Sequence, residues 1–221
     1  MNLSKEKLDA VVASISSVLI GKETQVRVAL ACLLAGGHLL IEDLPGMGKT
    51  TLANAMARVL GLNYNRVQFT SDLLPADIVG VSVYDKSEAA FRFHPGPVFC
   101  QLLLADEINR TTPKTQSALL EAMAEGQVTV EGETRDLPEL FFVIATQNPV
   151  QYAGTFPLPE SQLDRFLMRL SLGYPDLPSE KAILVGGDPR SRIGDLKPLL
   201  TVEELLALQK QVDEMKVAEP V

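Results

Sequence analysis

The chain has 221 residues, 46% hydrophobic and 22% charged, with no Trp and a net charge of −8. That length supports one substantial core and at most a second small domain. The composition is that of ordinary globular proteins, and the acidic balance argues against a strong generic grip on nucleic acid.

The opening "MNLSKEKLDAVV" is polar, then amphipathic. It lacks the apolar run and small-residue cleavage site of a signal peptide, and no apolar run is long enough to span a bilayer, so the sequence predicts a cytoplasmic protein without membrane insertion. Leu8, Val11, Val12, Ile15, Val18 and Leu19 recur at helical spacing and predict a helix over 3–19, broken at Gly21. A second helix is expected over 24–34, ended by Gly36–Gly37. "HLLIE" is a short apolar strand, and "TTLANAMARVLG" a helix closing at Gly61. "RVQF" is the next strand. Residues 70–97, rich in Pro and Gly, predict an irregular stretch holding a short hairpin. "QLLLADE" is an apolar strand ending in two acids, and "TPKTQSALLEAMAEG" a helix with Pro113 in its first turn. "QVTVEGETRDL" alternates about Glu131–Gly132 as a β-hairpin. "LFFVIAT" is a buried strand, "PESQLDRFL" a helix, and "MRLSL" the last strand. Buried strands alternating with helices imply a largely parallel sheet covered on both faces. Beyond Tyr174–Pro175 two helical stretches flank a Gly/Pro/Asp/Arg-rich connector. This tail is too small to bury a core of its own and resembles the beginning of a helical domain that stops early.

"EDLPGMGKT" (42–50) sits between a strand and a helix, the context of a phosphate-binding loop, but Asp43 stands where the pattern G-x-x-x-x-G-K-[ST] has its first glycine. Gly46 and Gly48 would let backbone approach phosphate, Lys49 would supply charge to the β- and γ-phosphates, and Thr50 a hydroxyl to Mg²⁺. The bland alternative is a plain Pro-Gly turn. For Asp43 to be compatible with an anion, its carboxylate must point away from it. Asp106 ends a buried strand and can hold Mg²⁺ through its water shell, while Glu107 can polarise an attacking water; two acids capping a strand are the alternative. Asn148 in "ATQNP" could orient that water, against the reading that Asn-Pro is a routine turn pair. Arg165 in "QLDRF" could stabilise charge on a transferred phosphoryl in its own or a neighbouring subunit, against a surface salt bridge to Asp164 or Glu160. Cys32 and Cys100 lie in apolar runs and predict buried free thiols; His38, at the head of a strand, predicts a satisfied core histidine.

Together these stretches resemble the AAA+ ATPases, and the wording of "EDLPGMGKT", "QFTSDLLPADIVG", "LLLADEINRTTPKTQSALLEAMAEGQVTV" and "ATQNPVQYAGTFPLPESQLDRF" resembles the MoxR family in particular, over about residues 15–175. Members of that branch often lack the first glycine. The resemblance implies an αβα P-loop NTPase fold with a five-stranded parallel sheet, a core over 1–175 and the start of a small helical lid over 176–221. It implies ATP and Mg²⁺ as cofactors. Pro45, Gly46, Met47, Gly48, Lys49, Thr50 and Thr51 would form Walker A, Asp106 and Glu107 Walker B, Asn148 sensor 1 and Arg165 the arginine finger. Thr50 and Asp106 would serve the metal, and Ile20 and Gly21 the adenine. Residues 70–97 would be the helix-2 insert and 127–137 the pre-sensor-1 hairpin, both facing the pore of a homo-hexameric ring. The family's lid carries a further phosphate-sensing arginine, for which residues 181–221 offer no candidate. The family remodels or matures client proteins, often with von Willebrand A-domain partners. A motor acting on nucleic acid and an ATP-dependent scaffold without turnover are the alternatives. The acids Glu131, Glu133 and Asp136 against Arg135 on the hairpin disfavour the first, and intact Glu107 and Arg165 disfavour the second.

Overall fold

The computed structural model of the protein describes residues 2–149, 154–186 and 189–215. Residues 1, 150–153, 187–188 and 216–221 lie outside them. Among the described residues, no helix is long and apolar enough to cross a membrane.

Five strands make one sheet: β1 (Leu39–Glu42), β2 (Tyr64–Gln68), β5 (Leu102–Asp106), β8 (Phe142–Gln147) and β9 (Met168–Leu170). Their order is β2-β5-β8-β1-β9, and every pairing is parallel. Residues along each strand alternate between two apolar clusters. Leu39, Ile41, Leu102, Leu104, Phe142 and Ile144 join one cluster, and Leu40, Leu103, Ala105, Val143 and Ala145 join the other. A period of two with both faces apolar is what a sheet covered on both sides requires. Helices α1 (Asn2–Ser16), α2 (Glu23–Leu34) and α3 (Lys49–Val59) cover the first face. α4 (Pro75–Val79) and α5 (Pro113–Glu125) cover the second. The fold is therefore the expected three-layer α/β sandwich. His38 is buried between them: its Nδ1 accepts from the Val143 N–H (3.1 Å) and its Nε2 lies 3.2 Å from the Met123 carbonyl, which fixes the Nε2–H tautomer. Burial lowers its pKa, so the ring is neutral. Cys32 and Cys100 are buried free thiols.

The first helix ends at Ser16, short of the expected Leu19, because Ser17 to Gly21 turn with Gly21 at φ +75°. The expected helix over "PESQLDRFL" is a single turn, α6 (Glu160–Leu163), followed by turns. The stretch 70–97 is more regular than its Pro and Gly content suggests: α4 leads into an antiparallel hairpin of β3 (Gly80–Asp85) and β4 (Ala90–Pro95). The second hairpin, β6 (Gln127–Val130) and β7 (Glu133–Asp136), turns at Glu131 and Gly132, both with positive φ, the geometry of a two-residue hairpin turn. Among the described residues the tail builds no separate core. α7 (Leu177–Gly186) leaves Leu177 and Leu184 exposed, whereas Ile193, Leu200 and Leu205 enter the α1–α3 cluster. α8 (Val202–Asp213) starts with a capping box of Thr201 and Glu204, and its Gln209 donates to the Leu33 carbonyl (2.7 Å).

Candidate active site

The parallel sheet brings the C-terminal ends of β1, β2, β5 and β8 to one edge, where ligands of open α/β sheets bind. The chain leaves β1 at Glu42 and enters α3 at Lys49. Gly46 and Gly48 have φ of +87° and +94°, a left-handed backbone that penalises any residue with a Cβ. At Gly48 a Cβ would also lie 2.9 Å from Leu19 Cδ1. A loop of this shape gathers backbone N–H groups at a helix N-terminus, where the helix dipole adds positive potential.

Asp43, in place of the missing glycine, turns its carboxylate to the opposite side. It accepts from the Ser171 hydroxyl (3.1 Å), the Leu172 N–H and the Gly173 N–H (3.2 Å). It is 7% exposed and ties the exit of β1 to the exit of β9. The residue is a structural clamp. Asp43→Ala should cost about 2–3 kcal/mol, since it leaves buried N–H groups unpaired. Asp43→Gly, which restores the common loop pattern, should be destabilised at least as much. Thermal melts test this, and a melting temperature unchanged in both variants excludes the clamp.

Lys49 is buried. Its Nζ donates to the carbonyls of Asp43 (2.6 Å) and Leu44 (3.2 Å). Burial lowers its pKa, against the opposing pull of the Asp106, Asp43 and Glu107 carboxylates. Asp106 is buried at the end of β5, with Oδ1 accepting from the Thr146 hydroxyl (2.6 Å) and Oδ2 paired with Arg66 Nη2 (2.7 Å). The same Thr146 oxygen accepts from the Glu107 N–H (2.9 Å). Glu107 sits at φ 58°, ψ 51°, a left-handed conformation that costs a non-glycine residue about 1–3 kcal/mol. Its carboxylate is aimed by Gln68 Nε2 (3.0 Å) and Arg110 Nη1 (2.9 Å). A strained residue held from three sides is pre-set rather than free to relax.

A cavity of about 670 Å³ brings Gly46, Gly48, Lys49, Thr50, Asp106 and Glu107 together, with Pro45 and Thr51 also on its wall. A second cavity of about 460 Å³ shares Pro45 and Glu107 and adds Asn148, whose carbonyl accepts from Asn109 Nδ2 (3.2 Å). Glu107 thus borders both. Met47 packs half-buried against the α1–α3 cluster instead. Ile20 and Gly21 are not on the wall of the large cavity. Leu19 is the residue of that segment against the loop, and Gly21 lies against Ser179 of the tail. Arg165 borders neither cavity: it is exposed, and its Nη1 donates to the Leu120 carbonyl (2.9 Å) rather than pairing with Asp164 or Glu160.

Further residues belong to the large cavity: Asn54, Arg58, Arg66, Gln68, Ile193 and Gly194. Thr50, Asn54 and Arg58 recur every four residues on α3, and Arg66 and Gln68 every two on β2, so periodicity from Thr50 and toward Glu107 carried that signal. Nothing local marks Ile193 and Gly194, which arrive by the docking of the tail.

Residues 38–168 match the family described as "ATPase family associated with various cellular activities (AAA)". The chain is 49% identical to the protein YeaC of Bacillus subtilis, over 95% of its own length and 65% of YeaC. It is 41% identical to Chaperone MoxR1 of Mycobacterium tuberculosis, over 92% of its own length and 53% of that protein. A solved crystal structure from Cytophaga hutchinsonii superposes with a TM-score of 0.84 at 36% identity, covering 97% of this chain and 65% of that one. The chain thus spans between about half and two thirds of these relatives. A phosphate-loop geometry at a parallel sheet edge and a family match over the residues that build it agree: the chain belongs to the AAA+ ATPases, and within them to the MoxR family.

Proposed function

We propose that the large cavity binds ATP with Mg²⁺, that the protein hydrolyses it in a ring of like subunits, and that turnover remodels or matures a partner protein in the cytoplasm. The observation that carries this reading is the convergence of Lys49, Thr50, Asp106 and Glu107 on one cavity of nucleotide size. Lys49 and the loop hold the β- and γ-phosphates. Glu107 polarises the attacking water, and Asn148 orients it from the adjoining cavity. The donor set suits Mg²⁺: Thr50 offers a hydroxyl and Asp106 a carboxylate on the cavity wall, and among the described residues no cluster of three or more His, Cys, Asp or Glu could hold a metal alone. Mg²⁺ keeps water and takes phosphate oxygens, so two protein ligands suffice; bound there it would neutralise charge developing on the phosphates. The segment from 176 onward is read as the start of the lid, which reaches the cavity through Ile193 and Gly194.

A protein partner is favoured over nucleic acid by the hairpins. Arg135, the basic residue of β6–β7, is already paired with Glu133 and stacked over Phe93, 4.0 Å from the ring centroid. What remains outward on β6–β7 is acidic, and the neighbouring β3–β4 hairpin exposes Val83, Tyr84 and Phe91 beside Lys86, Glu88 and Arg92. Acid beside apolar surface repels phosphate and suits a polypeptide. The relative named a chaperone agrees with this, and a von Willebrand A-domain protein is the partner class the family resemblance favours.

Glu107→Gln should bind MgATP and turn it over about 10²–10⁴-fold more slowly, the usual worth of a positioned base, and should retain a partner protein when loaded with ATP. Duplex and single-stranded DNA should neither bind at physiological salt nor raise turnover. Micromolar DNA binding with a steep salt slope would overturn the protein-directed reading, because that slope reports displaced counterions. ATP turnover undiminished in Glu107→Gln would remove Glu107 from the chemistry.

A further inference from the structure

We propose that Arg66 is the resident counter-cation of Asp106, competing with Mg²⁺ for that carboxylate, and that its guanidinium passes to the nucleotide phosphates when the metal takes Asp106. The inference rests on the magnesium–nucleotide reading above. Both oxygens of Asp106 are engaged: Oδ1 by the Thr146 hydroxyl at 2.6 Å and Oδ2 by Arg66 Nη2 at 2.7 Å. Each oxygen keeps a further lone pair, but a metal cation on either, directly or through its water shell, repels a guanidinium held on the same carboxylate. The two partners are not equally movable. Thr146 is fully buried, and its oxygen also accepts from the Glu107 N–H, so its displacement would unseat the backbone of Glu107. The Arg66 side chain is 46% exposed, and it also donates over a long 3.3 Å to Gln68 Oε1. Arg66 is the partner that yields.

Once released, the guanidinium has a destination. Arg66 lines the same cavity as Lys49, Thr50 and Arg58, and its planar fork matches phosphate oxygens in two-point contact. The arrangement also has an electrostatic logic. Without Arg66, the Asp106 carboxylate would face an incoming polyphosphate without its ion-pair partner, offset only by Lys49 across the cavity, and metal-free nucleotide would bind more weakly. With Arg66 the Asp106 carboxylate is already paired before the metal arrives, and that guanidinium charge is carried over to the phosphates afterwards. Arg66 is therefore a positioning residue that mutes the dependence of nucleotide binding on metal.

The measurement is the dissociation constant for ATP by calorimetric titration, in excess Mg²⁺ and in EDTA, for wild type, Arg66→Gln and Arg66→Lys. Thermal melts confirm that each variant is folded. The ratio of the EDTA value to the Mg²⁺ value should rise about tenfold in Arg66→Gln, the scale of one charge-assisted hydrogen bond. It should rise about threefold in Arg66→Lys, whose ammonium keeps the charge and loses the fork. A residue that merely binds phosphate or supports the fold would weaken both constants together and leave the ratio fixed. That outcome overturns the proposal, and should Arg66→Gln not fold, an unchanged ratio in Arg66→Lys does the same. Wild type that binds no ATP even with Mg²⁺ would instead sink the nucleotide reading of the cavity, a separate failure.

Discussion

Lys49→Ala should weaken MgATP binding by roughly 10²-fold or more while leaving the fold intact. The lysine sits at the first turn of α3, buried, with its ammonium resting on the carbonyls of Asp43 and Leu44. Those carbonyls are poor terminal partners for a cation that lines a cavity and feels the Asp106, Asp43 and Glu107 charges. They act as a parking place from which the side chain can reach a phosphate. Two charge-assisted hydrogen bonds at about 1.5–3 kcal/mol each set the expected loss. The truncation leaves two loop carbonyls at a cavity edge where water can reach them, so the melting temperature should barely change. Calorimetric titration with circular dichroism decides. Unchanged affinity in a folded variant would reduce the loop to a Pro-Gly turn and remove the basis of the proposed function.

The layered sheet was legible because periodicity is a backbone property. Apolar runs such as "QLLLADE" and "LFFVIAT" have no polar face, and strands of that kind need cover on both sides. The expected order of strands and helices and the five-stranded parallel sheet are borne out, and so is the family. What sequence could not carry is pairwise geometry between distant segments. The condition that Asp43 face away is met by partners at 171–173, about 130 positions along the chain, which no local pattern announces. The same holds for Thr146, whose single hydroxyl links Asp106 to the backbone of Glu107, and for Arg66, named at first only as part of a strand. The expected helix around Arg165 is cut to one turn for a different reason. "PESQLDRFL" has helical residues, but Phe166 must be buried with the second cluster, and the chain turns after Leu163 to put it there. Tertiary burial overrides local propensity in so short a segment.

Mixing Glu107→Gln with Arg165→Ala should restore ATP turnover that each variant lacks alone. Arg165 is exposed, hydrogen-bonded to the Leu120 carbonyl on α5, and borders neither cavity of its own chain, whereas Glu107 borders both. A guanidinium so placed can serve a phosphoryl group only by reaching a neighbour's cavity. Each active site should then be split between two subunits, one giving Glu107 and the next giving Arg165. Losing an arginine of this kind costs about 10³-fold or more in turnover, so each single variant should be nearly inactive. In a mixed ring, an interface where the Arg165→Ala chain supplies Glu107 and the Glu107→Gln chain supplies Arg165 is complete. Head-to-tail contacts make roughly one interface in four of that kind under random mixing, so recovered activity should approach a quarter of wild type. Two different affinity tags, one on each variant, verify co-assembly. If Arg165 serves its own chain, every mixed ring contains only broken sites. Co-assembled rings with no recovered turnover would sink the split site and leave Arg165 as a brace on α5.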